Sequence, residues 1–233
     1  MKITFGIATY NNINNLIFTL NSLEIAMKSF KKYRYEIIII DDNSLDRTEE
    51  KLRKIKKNKK YIKYYKNNYN SGFRYSILKA AKKGTGTYFK IIHSSNIEKI
   101  KDLKIYLTKV KDYELIMPYI IDKRSFFRKF ISKFCTIIFN FFSGKNLKYY
   151  QSPIMCKRHK FIYFFPKFNK GSFFLATTIF RLANFYNKKQ IYEFGIEPKF
   201  KIKGSTAISF NNLISFVYTI LDILYFRIKN LLN

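Results

Sequence analysis

The stretch EIIIIDDNSLDRTEE, residues 36–50, decides the fold. Four consecutive isoleucines suit a strand buried on both faces, the habit of parallel sheets covered by helices. Two acids follow at the strand's end, then a small polar pair and another acid. Ser44 or Asp46 can cap a helix there, with Glu49 and Glu50 in the first turn, where the helix dipole favours negative charge. Strand, polar tip and helix in fifteen residues make one half of a βα unit.

The same alternation extends outward in both directions. KITFGIATY (2–10) is a β-rich apolar run, NNINNL (11–16) turns, and Leu16, Leu20, Leu23 and Met27 fall at helical spacing. YIKYYKN (61–67) is a short strand, NYNSGFR (68–74) a loop bent at Gly72, and YSILKAAKKG a helix closed by Gly84. TYFKIIH (87–93) is a fourth strand and YELIMPYI (113–120) a fifth. Strand–helix alternation over about 120 residues predicts an open, doubly wound α/β sheet. Such sheets bind ligands at the carboxyl ends of their strands, here Thr9–Tyr10, Asp41–Asp42 and His93 to Asn96.

The second half is aromatic and basic. RSFFRKFISKFCTIIFNFF (124–142) aligns Phe127, Phe130, Ile131, Phe134, Ile138 and Phe141, flanked by Arg124, Arg128, Lys129 and Lys133. A final helix aligns Phe210, Leu213, Ile214, Val217, Leu221 and Leu224, with Asn211, Ser215, Tyr218 and Asp222 on a narrower polar strip. Such a helix is either packed into a core or laid in a membrane interface. The expected division is 1–205 for the sheet domain and 206–233 for the C-terminal amphipathic helix.

The 233 residues carry 45 Lys and Arg against 15 acids, a formal charge of +30. A field of that sign attracts anions: nucleic acid, anionic headgroups or phosphorylated substrates. The joint richness in Lys, Ile, Asn, Phe and Tyr also matches AT-rich codons, so composition bias is a competing origin of the charge. A hydrophobic fraction of 47% excludes disorder. Cys135 and Cys156 are too few for a disulfide framework or zinc site and read as buried free thiols. MKITFGIATY lacks a signal peptide's apolar stretch, and no uncharged apolar run reaches the ~18 residues of a spanning helix. A cytoplasmic protein, peripheral on the membrane face, is the expectation.

A Thr-Tyr-Asn strand end, the Asp-Asp-Asn-Ser-x-Asp tip, the Asn-x-Gly loop and a Gly-x-Tyr strand occur in order over residues 3–96. In this the chain resembles the family 2 glycosyltransferases of the GT-A fold, most nearly the dolichol-phosphate mannosyltransferase-like branch. The resemblance implies a Rossmann-like, mostly parallel sheet and inverting transfer from a nucleotide-diphosphate sugar to a lipid phosphate or glycan, as in cell-surface polysaccharide biosynthesis. It assigns Thr9, Tyr10, Asp41 and Asp42 to base and ribose, Asn70 and Gly72 to the adjoining loop, and Arg74 to a phosphate. YEFGIEPKFKIKGST (192–206) resembles a later segment of that branch, placing Lys201 beside an acceptor phosphate together with Arg124 and Arg128. No base is evident; Asp122, Glu193 and His159 are candidates by elimination.

The family's Asp-x-Asp, which holds Mg²⁺ or Mn²⁺ on the diphosphate, falls here on His93 and Ser95, within GTGTYFKIIHSSNIEK (84–99). Three accounts stand: a metal held weakly by His93 and Asn96, charge neutralised by Lys and Arg instead, or no transfer. The last makes the chain a binding or scaffold relative. A basic nucleic-acid-binding protein is a further alternative, opposed by the scatter of its cations, so no specific nucleic-acid partner is expected.

Overall fold

The computed structural model describes residues 1–121, 126–166, 171, 173–199 and 210–231. Asp122, Arg124, Lys201 and the side chain of Arg128 lie outside the described residues. The elements run β1 (Lys2–Thr9), α1 (Ile13–Lys28), β2 (Arg34–Asp41), α2 (Thr48–Asn58), β3 (Ile62–Lys66), α3 (Gly72–Lys83), β4 (Tyr88–His93), α4 (Ile100–Lys109) and β5 (Leu115–Ile120). Then come α5 (Phe126–Ser143), β6 (Met155–Lys157), α6 (Arg158–Phe164), α7 (Phe174–Phe185), β7 (Ile191–Ile196) and α8 (Phe210–Leu231).

Among the described residues the strands form one sheet in the order β3-β2-β1-β4-β6-β5-β7. β6 is antiparallel to both β4 and β5, while the other pairings are parallel. Pleating sends alternate residues to opposite faces. Ile37 and Ile39 join Leu16, Leu20, Leu52 and Leu103 of α1, α2 and α4. Ile38 and Ile40 join Ile77, Phe161 and Ile179 of α3, α6 and α7. All four isoleucines of β2 are completely buried, each contributing about 1.5–3 kcal/mol of transfer free energy.

The amino ends of these strands are fastened by one carboxylate. Glu36 accepts from Thr4 Oγ1 at 2.8 Å and from the Thr85 amide, and pairs with Lys63 at 3.0 Å and Lys2 at 3.2 Å. The adjacent Gly86 donates its amide to Thr4 Oγ1, and a Cβ there would lie 2.6 Å from the Thr4 backbone nitrogen. Burial pushes the Glu36 carboxyl up, but the Thr85 amide, Lys63, Thr4 and Lys2 together outweigh it and hold the pKa at about 2. A carboxyl with a depressed folded pKa contributes stability above its unfolded value, and that contribution is lost as pH falls. The wild-type denaturant midpoint is therefore expected to fall between about pH 4.5 and pH 2 more steeply than that of Glu36→Gln; parallel slopes would contradict the assignment.

The two amphipathic helices lie differently from their sequence stripes. In α5 the buried contact comes from Phe139 and Ser143, whereas Phe130, Phe134 and Phe141 of the expected stripe are exposed. In α8 the buried face is Ser215, Thr219 and Ile223, and Leu213, Ile214, Val217 and Leu221 face outward. Polar residues turn inward because partners await them: Ser215 Oγ accepts the Phe173 amide at 3.0 Å, and Asp222 pairs with Arg181. Among the described residues, no helix is long and apolar enough to cross a membrane. Cys135 and Cys156 are free thiols, the latter buried.

Candidate active site

β1, β2 and β4 end together at one rim, with Thr9 paired to Asp41 and Ala8 to His93 across the ladder. Just beyond each strand the chain bends through a left-handed asparagine: Asn11 (φ 46°), Asn43 (φ 65°) and Asn96 (φ 52°). Asparagine tolerates this region because its short amide can bond nearby backbone. Here Asn11 Oδ1 accepts the Leu45 amide at 2.8 Å, and Ser44 Oγ accepts the Asn11 amide at 3.0 Å. The carboxylate of Asp46 accepts from the Thr48 amide at 3.0 Å, opening α2. The tips of β1 and β2 are thereby knitted into one ledge, above which Tyr10 stands 45% exposed.

The two acids of the tip are engaged from below. Asp41 is fully buried; its carboxylate accepts the Ser44 amide at 2.9 Å and the Tyr64 hydroxyl at 2.9 Å. Burial and then the Asp41 bond push the Tyr64 phenol well up, so it stays a donor. Asp42 accepts Asn67 Nδ2 (2.7 Å), the Ser71 amide (2.9 Å), Ser76 Oγ (3.2 Å) and the Gly72 amide (2.7 Å). The last two-amide grip falls on the first turn of α3, where free N–H groups and the helix dipole favour an anion. Gly72, at φ 83°, takes a backbone that side chains resist, and its amide also reaches Asn70 Oδ1 at 3.2 Å. Both carboxylates therefore set the shape of the ledge and the adjoining loop. The Thr9 hydroxyl is buried beside them with no hydrogen-bond partner among the described residues.

At the β4 tip His93 stacks on Phe73, ring centroids 5.6 Å apart and planes 11° from parallel. Burial, then the nearby Lys90 charge, lowers its pKa to about 4, so the imidazole is neutral at pH 7. Asn12 Nδ2 donates to Ser94 Oγ at 3.2 Å, tying this tip to the start of α1. Asn96 turns aside: its Oδ1 accepts from Ser22 Oγ (3.1 Å) and Lys199 Nζ (2.7 Å). Hard divalent cations want several oxygen ligands, carboxylates above all. The tip offers one neutral imidazole and the hydroxyls of Ser94 and Ser95, and among the described residues no three His, Cys, Asp or Glu are grouped to hold a metal. These donors do not fit Mg²⁺ or Mn²⁺.

Beneath the tip lies an ion pair that the sequence did not disclose. Lys90 Nζ, wholly buried, donates to Glu98 (2.9 Å), the Ile91 carbonyl (2.6 Å) and the Pro153 carbonyl (2.7 Å), 4.0 Å from the Tyr106 ring centroid. Burial lowers the Lys90 pKa and Glu98 opposes it. The pair fastens β4 to the segments before α4 and β6.

The remaining sequence candidates fall elsewhere. Arg74 lies in α3, its guanidinium 4.9 Å from the Phe165 ring centroid and bonded to the Pro166 carbonyl. Burial lowers its pKa. Glu193, on β7, accepts the Lys148 amide at 2.8 Å, and burial raises its carboxyl. β7 stands three strands from β4, roughly 14 Å at ordinary strand spacing. His159 is the second residue of α6, two positions after Lys157, which pairs with Tyr88 at the amino end of β4; that is the opposite rim. Neither Glu193 nor His159 is brought to the ledge. Asn12, Tyr64 and Asn67 complete the network without having been singled out in sequence, joined by Asn11, the last residue of the Thr-Tyr-Asn strand end.

A mostly parallel sheet with helices on both faces and a polar rim at β1, β2 and β4 defines a GT-A glycosyltransferase fold. The chain belongs to glycosyl transferase family 2, whose family model matches residues 4–171. No curated protein matches it. Among solved structures, S. aureus TarS 1-349 is 20% identical, with TM-score 0.60, over 83% of this chain and 58% of that one. The same protein in complex with UDP is 17% identical with TM-score 0.61, over 96% and 66%. Glucosyl-3-phosphoglycerate synthase from Mycobacterium tuberculosis, in complex with Mn²⁺, UDP and phosphoglyceric acid, is 10% identical with TM-score 0.68, over 94% and 78%. At these identities the likeness is one of fold, and this chain spans 58–66% of these two TarS 1-349 structures.

Proposed function

We propose that this protein transfers a sugar, with inversion, from a UDP-sugar held on the ledge of β1, β2 and β4 to a lipid-phosphate or glycan acceptor. The observation that carries this is the convergence of Thr9–Asn11, Asp41–Ser44 and His93–Ser95 at one rim. Family membership supports transfer chemistry, and the structures of TarS and of the synthase with UDP support that nucleotide. Tyr10 is the exposed ring suited to stack on the base. Asp41 and Asp42 serve as positioning residues that hold the ledge and the Asn70–Gly72 loop beneath base and ribose. Arg74, from α3, and the acceptor cations Arg124, Arg128 and Lys201 remain assignments by resemblance. Of the base candidates reached by elimination, Asp122, Glu193 and His159, the last two stand away from the ledge; an acceptor phosphate is already anionic and needs no base.

Calorimetric titration with UDP tests the donor half. Stacking on an aromatic ring contributes about 1–3 kcal/mol per base, so Tyr10→Ala is expected to weaken UDP about 5- to 150-fold without moving the thermal midpoint. Equal affinity in the two proteins would remove Tyr10 from the site. The second reading, a relative that binds donor but no longer transfers, rests on the missing carboxylates at 93 and 95. Under it the wild type binds UDP without turnover, and His93→Asp/Ser95→Asp gains metal-dependent release of UDP. Wild-type turnover in excess chelator eliminates it.

A further inference from the structure

Among the described residues, two neighbouring helices leave apolar faces without a partner. α5 exposes Phe126 (85%), Phe130 (61%), Phe134 (53%), Ile137 (56%) and Phe141 (76%), one stripe at three- and four-residue spacing. α8 exposes Leu213, Val217, Leu221, Tyr225 and Ile228 in the same manner. The helices pack directly, Phe139 against Phe216 with ring centroids 5.1 Å apart and Arg227 donating to the Phe142 carbonyl at 3.2 Å. Large apolar side chains exposed in rows of this kind mark interaction surfaces.

Cations predominate along the rim of these stripes, with Glu193 the acid beside Lys145 and Lys148. Lys129 and Lys133 lie along α5, Arg227 and Lys229 close α8, and Lys145 and Lys148 follow α5. Of the residues in α5 and α8, Asp222 is the one acid, and it is turned inward onto Arg181. Next to the α8 stripe, a cavity of about 940 Å³ between α6, α7 and α8 is lined by Lys160, Arg181, Lys229, Tyr163 and Tyr225. Cations and exposed tyrosines around an apolar face match the layered chemistry of a bilayer surface, with acyl chains beneath anionic headgroups.

We infer that the α5–α8 face docks this protein on an anionic lipid bilayer, α8 lying in the interface plane with its outward stripe among the upper acyl carbons. The inference concerns the acceptor side of the proposed reaction and stands apart from nucleotide binding. A protein of charge +30 adheres to anionic vesicles by charge alone, so the apolar contribution is what must be measured.

The test is flotation with phosphatidylcholine vesicles containing or lacking phosphatidylglycerol. Wild type is compared with Phe134→Ser/Phe141→Ser/Leu221→Ser, exposed positions whose replacement spares the core. Circular dichroism and UDP titration of the triple variant establish that fold and nucleotide response persist. Wild type is expected to float with phosphatidylglycerol and to stay partly bound near 1 M salt, where the screening length is about 3 Å. The triple variant should lose about tenfold or more in partitioning. Equal partitioning of the two proteins, or complete release of wild type by salt, reduces the effect to charge and overturns the inference. So does failure to bind vesicles, including the case of a dimer that the triple substitution dissociates.

Discussion

Asp42→Ala is expected to destabilise the protein by about 3–5 kcal/mol and to abolish UDP binding with it. The carboxylate is 4% exposed and receives four donors, two of them backbone amides at the start of α3. Removing it strands those donors in a closed space, each at about 1–3 kcal/mol, and relaxation recovers part of the loss. At this chain length each kcal/mol moves the thermal midpoint by roughly 2–4 °C. Asp42→Asn separates charge from shape: one oxygen still accepts, but the new NH₂ faces a donor, so a smaller loss of about 2 kcal/mol is expected. Urea denaturation of the three proteins checks the order. An Asp42→Ala midpoint equal to wild type would mean that the loop before α3 stands without its anchor, and the ledge account would fail.

Lys90→Met is the other large effect, again about 3–5 kcal/mol, because it leaves Glu98 charged and without its cation in the interior. Two carbonyls, of Ile91 and Pro153, lose the ammonium at the same time, the latter keeping the Tyr106 hydroxyl at 3.1 Å. Replacing both partners, Lys90→Met/Glu98→Leu, is expected to recover much of that loss, since a buried ion pair seldom outperforms apolar residues of similar volume. Denaturant midpoints for the single and double variants form the cycle. A double variant as unstable as the sum of the singles would show that the pair has no mutual coupling. Because Lys90 lies three residues before His93 on the same strand, the single variant should also loosen the β4 tip.

Much of this organisation was legible in the chain. The isoleucine run of β2 and the strand–helix alternation to residue 120 led to the α/β sheet, and Asp41 and Asp42 were located at its rim. What those acids do was not legible, because their partners, Tyr64, Asn67, Ser71 and Ser76, are set by loop closure over 23 to 34 residues. β6 was missed since three residues, Met155–Lys157, carry no periodicity, yet it is the antiparallel strand that joins β4 to β5. The helical stripes misled in an instructive way. Hydrophobicity marked Leu213, Val217 and Leu221, but Ser215 and Asp222 had partners waiting on the body of the protein, and those bonds turned the helix. The same inversion produces the outward apolar face.

A nucleotide-sugar site on the ledge is the central claim for this protein. A crystal structure with UDP and Mn²⁺ soaked together tests this most directly. The expected result is the uracil ring against Tyr10, the ribose over the Asp41–Ser44 tip, and no metal density beside His93. UDP bound elsewhere, or an empty ledge at saturating nucleotide, would contradict it.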